Sequence, residues 1–329
     1  MILVGGEALV DLVPELPSAD GLAPLSPRLG GGPYNAAIAA SRLGVPTAFL
    51  SRVSTDAFGR ALLARLAESE VDTSLVQRGP EPTSLAVVDV GADGSAQYSF
   101  YMAETADRLV DEPASLPVGL SAVCLGTLGL VLEPGASRYE ALLRRVSDQG
   151  VVTMLDPNIR AQLIADPDAY RARFRSWLSS VDVLKLSDDD AAWLAEVEAV
   201  ADEAAEAATE SPIAGVDPRV LAEVRRWQQA GPTVVILTRG SAGLVAVLSD
   251  GRSVEVPGVA VEVVDTIGAG DTVSGAVLAW LHEHSALSAA GLRALTEQQW
   301  AECLSFAASA SAVTCSRPGA EPPWAAELS

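Results

Sequence analysis

Short apolar runs alternate with segments of helical period along most of this chain, and no other feature narrows the fold as far. Ile2–Val4, Thr47–Leu50, Ala122–Leu125, Val151–Leu155, Val183–Leu186 and Val234–Leu237 read as strands. Helical patterns lie between them. Ala36–Leu43 is ended by Gly44, and Phe58, Leu62 and Leu66 mark a second helix. Tyr139, Leu142, Leu143 and Val146 form a third, stopped by Gly150. Phe174, Trp177, Leu178 and Val181 form another, as do Val220, Val224 and Trp227 before Gly231-Pro232. Uninterrupted apolar strands between amphipathic helices predict an α/β class with a mostly parallel sheet covered on both faces. At 329 residues the chain fits one large α/β domain or two average ones.

Two stretches break the alternation. Leu9–Leu29 is punctuated by prolines and has no helical period. Leu85–Met102 alternates as two strands around a turn at Gly91-Ala92-Asp93-Gly94. Together they predict a small β-sheet projecting from the main body. A lid over a ligand cleft is the functional reading, and an edge hairpin is the plainer one. The Ala- and Glu-rich run Ala195–Val216 reads as a solvated helix or mobile insertion, and the tail from Pro318 as a surface segment.

A net charge of −21 argues against nucleic acid or an anionic membrane as partner. It does not exclude a small anion, because a nest of backbone N–H groups holds phosphate on an acidic protein. Cys124, Cys303 and Cys315 have no metal or redox spacing, and Cys124 sits in an apolar run, so buried thiols and a cytoplasmic setting are expected. Met1-Ile2-Leu3-Val4 reads as a first strand rather than a signal peptide, and no stretch approaches a membrane span. The only histidines, His282 and His284, lie late on a predicted helix, which argues against a catalytic histidine or a His-based zinc site.

The chemistry-bearing motifs punctuate this frame. Asp265-Thr266-Ile267-Gly268-Ala269-Gly270-Asp271-Thr272 directly precedes the helical pattern Val273, Ala276, Val277, Trp280 and Leu281. N–H groups at a helix start bind anions. An Asp in that turn would repel phosphate unless it serves the attacking hydroxyl as base. A plain helix cap explains the same residues. Gly31 and Gly32, before the Ala-rich helix, would admit a ligand close to the backbone, and Asn35 offers a donor and an acceptor to a polyol. A tight turn with an Asn cap is the bland account. Asp11, soon after the first strand, could accept two sugar hydroxyls or be a loop acid.

Three motifs follow strands, where open α/β sheets bind ligands. Asp156-Pro157-Asn158-Ile159-Arg160 offers a planar cation, or a loop ion pair. Lys185-Leu186-Ser187-Asp188-Asp189-Asp190 could hold Mg²⁺ through water, or cap a helix. Thr238-Arg239-Gly240-Ser241-Ala242-Gly243 reads as a ligand-lining turn before the strand Leu244–Leu248, or as a plain turn. Neither a GxxxxGK(S/T) loop nor a GxGxxG after the first strand is present, which excludes a P-loop enzyme and disfavours a dinucleotide oxidoreductase.

In this order the motifs resemble the ribokinase-like carbohydrate kinases, the PfkB family, over nearly the whole chain. The Gly-Gly-Pro-Tyr-Asn segment is similar to the family's N-terminal signature and Asp265–Asp271 to its C-terminal one. Residues 6–14, Gly-Glu-Ala-Leu-Val-Asp-Leu-Val-Pro, and Asp-Pro-Asn-Ile-Arg at 156–160 look most like fructokinases. Kinases of 2-keto-3-deoxygluconate share much of that pattern.

The resemblance implies a three-layer α/β/α fold in one kinase domain over 1–329, with a β lid formed by about 9–30 and 85–105. It implies transfer of the γ-phosphoryl group of ATP to a primary hydroxyl, with D-fructose first and 2-keto-3-deoxygluconate, ribose or a nucleoside as alternatives. Asp271 would be the base, and the amides of Gly268, Ala269 and Gly270 the anion hole. Asp11, Gly31, Gly32, Asn35, Tyr101, Asn158 and Arg160 would surround the sugar, and Arg108 joins Arg160 as a candidate for an acidic acceptor. Lys185, Ser187, Thr238, Arg239, Gly240 and Gly243 would line the ATP side, with Ala308 near adenine. Mg²⁺ would lie near Asp190, and a monovalent cation, K⁺, near Asp265, Ile267, Thr314 and Gly319. Apart from the resemblance, the lid edge could pair with a second copy to form a homodimer, or be blunted by its own prolines and charges.

The chain departs from the family where Ser187-Asp188-Asp189-Asp190 replaces Asn-x-x-Glu. Asp190 is one methylene shorter than Glu, which metal contact through water tolerates better than direct ligation. Ala308 lacks a polar side chain and leaves base selectivity open. A non-catalytic sugar or nucleotide sensor on the same fold is the reading of another class.

Overall fold

Ile2 and Val4 face one hydrophobic layer, and Leu3 between them faces the other. The same period of two sends Ala122 and Cys124 to the first layer and Val123 and Leu125 to the second, and likewise splits Val234 and Ile236 from Val235 and Leu237. Strands buried on both faces explain why the sequence reads as uninterrupted apolar runs.

The computed structural model describes residues 1–15, 24–90, 96–196, 213 and 215–328. Its strands are β1 (Ile2–Gly5), β2 (Leu9–Pro14), β3 (Leu25–Gly30), β4 (Thr47–Leu50), β5 (Arg52–Ser54), β6 (Gln77–Gly79), β7 (Ser84–Val90), β8 (Ala96–Tyr101), β9 (Ala122–Gly126), β10 (Val152–Asp156), β11 (Val183–Ser187), β12 (Val234–Thr238), β13 (Leu244–Leu248) and β14 (Ser253–Val256). The main sheet is eight-stranded, in the order β14-β13-β12-β11-β10-β9-β1-β4. It is parallel from β12 to β4, and β13 and β14 add an antiparallel edge.

The helices are α1 (Gly32–Arg42), α2 (Ala57–Glu68), α3 (Gly135–Asp148), α4 (Pro167–Trp177), α5 (Asp188–Leu194), α6 (Pro218–Gln229), α7 (Ala269–Glu283), α8 (Ala289–Ala294) and α9 (Glu297–Cys315). Side chains of α1, α2, α7, α8 and α9 fill one layer, and those of α3, α4, α5 and α6 the other. This is the three-layer α/β/α arrangement. Helix α1 begins four residues earlier than the apolar pattern predicts, because Pro33 fits a first helical turn.

Helix α7 is buried from Asp271 to Leu281. A Cβ on Gly275 would stand 2.6 Å from the Cβ of Ala39 and 2.8 Å from the carbonyl of Ala36. The alanines of α1 therefore admit α7 to near backbone contact, and this brings the two glycine motifs together.

The small sheet has the order β3-β2-β7-β8, with β2 and β7 parallel and the outer pairs antiparallel. It packs through Leu9, Ala86 and Met102 on Leu128, beside the main sheet. The predicted turn at 91–94 lies outside the described residues, as does the Ala/Glu-rich run at 197–212 and 214. The tail differs from a loose surface segment. Ala320, Pro322 and Pro323 are buried, and Glu321 pairs with Arg42 at 2.7 Å and Arg65 at 2.9 Å. Among the described residues no helix is long and apolar enough to cross a membrane.

Candidate active site

Gly268 enters α7 with φ 76°, a left-handed value that favours glycine. The turn before it is fixed by Asp265, which accepts from the amides of Ile267 at 3.0 Å and Gly319 at 2.8 Å. Thr272 meets Thr314 hydroxyl to hydroxyl at 2.9 Å, and Ser311 donates to the carbonyl of Ala269, so α9 braces the same turn. The first-turn N–H groups of a helix lack internal partners, and here they stand between two cavities. Gly268, Gly270 and Asp271 line a cleft of about 540 Å³. Ala269 lines an apolar cavity of about 520 Å³, and Thr266 borders both.

The cleft opens at the C-terminal ends of β1, β9 and β10, under the small sheet. Asn35 Nδ2 donates to Asp271 Oδ2 at 2.9 Å. Asn35 Oδ1 is buried and has no hydrogen-bond partner among the described residues. A Cβ on Gly32 would stand 2.4 Å from Thr127 Oγ1 and 3.3 Å from Asp271 Oδ1, so the free oxygen of the acid faces the space over Gly32. Burial pushes Asp271 up to about 6, with the Asn35 hydrogen bond pulling the other way. Burial also raises Asp11 to about 6, offset by the Arg160 guanidinium.

Asn158 and Thr127 carry the far wall with φ of 40° and 52°, left-handed values that are rare for such residues. Arg160 Nη1 donates to Asn158 Oδ1 at 2.8 Å and to two backbone carbonyls, so part of its guanidinium braces its own loop.

The cleft gathers Asp11, Gly31, Gly32, Asn35, Asn158, Arg160, Gly268, Gly270 and Asp271 from the sequence-derived set. The apolar cavity takes Gly240, Gly243, Ala269 and Ala308. Lys185, expected on the nucleotide side, lines the cleft, pairs with Asp156 at 2.9 Å and is buried. Ser274 Oγ donates to the same Asp156 oxygen at 2.8 Å.

Other candidates line neither cavity. Tyr101 is 62% exposed, because strand alternation turns Tyr98 and Phe100 to the cleft in its stead. Arg108 donates to the carbonyls of Met102 and Glu133, away from the cleft. Ser187 caps α5, Thr238 donates weakly to Leu186, and Arg239 pairs with Glu255.

Asp190 Oδ1 accepts from the Ile159 amide at 2.7 Å and Oδ2 from the Ser187 amide at 3.1 Å. Each oxygen thus accepts one backbone amide, an arrangement that contact with a metal through water disturbs less than direct ligation. Among the described residues no group of three His, Cys, Asp or Glu could hold a metal. Asp265, Ile267 and Gly319 do converge, and no cationic side chain pairs with Asp265 among the described residues, while Thr314 turns its hydroxyl to Thr272.

Sequence reasoning gave no role to Glu7, Thr127 or Tyr98, which all line the cleft, nor to Asp156. The buried apolar surroundings of Glu7 are the signal that could have singled it out, since an acid there needs partners.

The pfkB family carbohydrate kinase profile matches residues 2–326. A fructokinase of Rhizobium leguminosarum bv. trifolii is 36% identical over 91% of this chain and 85% of its own. A fructokinase of Klebsiella pneumoniae is 32% identical over 86% and 85%. The crystal structure of a Xylella fastidiosa fructokinase with bound ATP superposes with a TM-score of 0.84 at 26% identity, covering 99% of this chain and 97% of that one.

Proposed function

Because the chain belongs to the pfkB family of carbohydrate kinases, we propose that it is a fructokinase, passing the γ-phosphoryl group of ATP to a primary hydroxyl of D-fructose. The observation that carries this is the pairing of a held, buried acid with a helix start. Asp271 keeps one oxygen on Asn35 and the other toward open cleft. It takes the proton of the attacking hydroxyl as the O–P bond forms and the bond to ADP breaks. The amides of Gly268, Ala269 and Gly270 stabilise charge on the transferring group. A base with a pKa near 6 is ionised at neutral pH and still basic enough to take a proton.

Asp11, Asn35, Asn158, Gly31 and Gly32 bind the sugar hydroxyls in this reading. Arg160 orients the far side. The apolar cavity beside Gly243 and Ala308 suits an adenine ring, and Lys185 reaches the phosphates between the two cavities. When bound with the nucleotide, Mg²⁺ neutralises its phosphates, held there by phosphate and water rather than by Asp190. The carboxylate of Asp265, together with backbone oxygens, has the hard-donor chemistry for K⁺. The small sheet would close over the cleft as a lid of one kinase domain and exclude water. Its exposed Tyr101 and Leu25 support a homodimer through that sheet. The cytoplasm is the compartment that supplies ATP and keeps the three free thiols reduced.

A sugar acid is the weaker acceptor. Glu7, Asp11 and Asp271 all line the cleft, and Arg108 is absent from it. ATP turnover over fructose, 2-keto-3-deoxygluconate, ribose and adenosine, with Asp271→Ala alongside, tests the reading. Asp271-dependent fructose phosphorylation is expected. Sugar binding without product from the wild-type protein would establish the sensor instead.

A further inference from the structure

Glu7 is a buried acid to which the phosphoryl-transfer scheme gives no task. It follows β1, is 2% exposed and lines the cleft floor. Its two oxygens serve different walls. Oε1 accepts from the Gly32 amide at 3.0 Å, and Oε2 from the Gly129 amide at 3.1 Å. Gly32 opens α1, three residues before Asn35. Gly129 lies in the turn after β9 that carries Thr127.

Behind Glu7, Asp107 and Tyr139 help to close a cavity of about 10 Å³, too small for the carboxylate to swing back into. Asp107 is itself buried and accepts from Ser84 Oγ at 2.6 Å and Thr105 Oγ1 at 2.9 Å, at the roots of β7 and β8.

We propose that Glu7 is a positioning residue for the phosphoryl acceptor: its carboxylate clamps the start of α1 to the turn after β9 and thereby sets where Asn35 holds Asp271. The role rests on the sugar-kinase reading. A carboxylate accepts an N–H on each oxygen, whereas the amide of glutamine presents its own N–H to one of them. Aspartate keeps the charge but is one methylene short of bridging both walls. Burial, with Asp107 adding to it, pushes Glu7 up to about 8 while the amides of Gly129 and Gly32 pull it down, so the form that accepts on both oxygens dominates only above that value. Misplacing a reacting group by about 1 Å costs on the order of 10²-fold in rate.

The test compares wild type, Glu7→Gln and Glu7→Asp as full chains. The readouts are kcat and KM for fructose and for ATP, and amide hydrogen exchange in the segments holding Gly32 and Gly129. Both variants should lose roughly 10- to 100-fold in kcat/KM for fructose, keep KM for ATP within about twofold, and exchange faster in at least one of the two segments. Rescue of full activity by Glu7→Asp would overturn the clamp in favour of charge alone. A lowered Tm with unchanged kinetics in the folded fraction, or a rise in KM for ATP as large as that for fructose, would overturn it too. Should Glu7→Gln fail to fold, Glu7→Asp carries the same expectation. A wild type inactive on every sugar overturns the kinase reading and the positioning role with it, whereas an active wild type with indifferent variants overturns the role alone.

Discussion

Asn35 and Asp271 lie 236 positions apart in the chain and 2.9 Å apart in the fold. The bond joins the first turns of α1 and α7, which pack at near backbone contact through Ala39 and Gly275. It assigns the two oxygens of Asp271 different tasks. One is held, and the other faces the cleft.

Asp271→Asn keeps a hydrogen-bonding partner for Asn35 and removes the base. We predict a fall in kcat of about 10²- to 10⁴-fold with fructose affinity retained within a few-fold. Steady-state kinetics and titration calorimetry would check it. A kcat near that of wild type would sink the assignment of Asp271.

Activity should rise with pH through about 6, because Asp271 is active as the carboxylate and burial raises it to that value. Asp11 is raised to about 6 as well, so the acid limb should be steeper than one ionisation gives. In Asp11→Asn the limb should relax to a single ionisation. A profile of kcat/KM for fructose that is flat from pH 5 to 8 contradicts this.

The same burial carries a stability cost. A group whose folded pKa is raised contributes stability that is full below its unfolded value, 3.8 for Asp271, and is lost as pH rises through about 6. Asp271→Asn should therefore be more stable than wild type at pH 8, by up to roughly 3 kcal/mol, and the gap should close near pH 4. Urea unfolding at the two pH values measures it, and a variant less stable at pH 8 refutes it.

Gly32→Ala places a methyl 2.4 Å from Thr127 Oγ1 and 3.3 Å from Asp271 Oδ1. We predict a rise in KM for fructose of about tenfold or more, since a pocket filled on one side loses of the order of 1–3 kcal/mol, with KM for ATP little changed. Equal effects on both substrates would show a general distortion in place of a local one.

The layered fold was legible because both sheet faces are buried, so period and composition agree along every central strand. The turn at Gly268 and the helix opening at Asp271 were legible because few residue types other than glycine take a left-handed φ just before a helix. Glu7 was not, since nothing beside it in sequence reveals the amides of Gly32 and Gly129 that meet it. Tyr101 was expected at the sugar only from the resemblance, whereas on β8 it falls on the face opposite Tyr98 and Phe100, which line the cleft. The tail from Pro318 reads as a surface segment from its prolines and glycines, and what the sequence does not show is its anchoring by Arg42, Arg65 and Asp265, all distant in sequence.

That last contact has a temporal meaning. The turn entering α7 is held by an amide from Gly319, and Asp271 answers to Asn35 near the other end. A ribosome-bound chain can lay down its sheet strand by strand, but the turn before Asp271 lacks one of its two clamping amides until Gly319 has emerged. Turnover in a translation reaction would then report chains extended past Gly319 and ignore shorter ones.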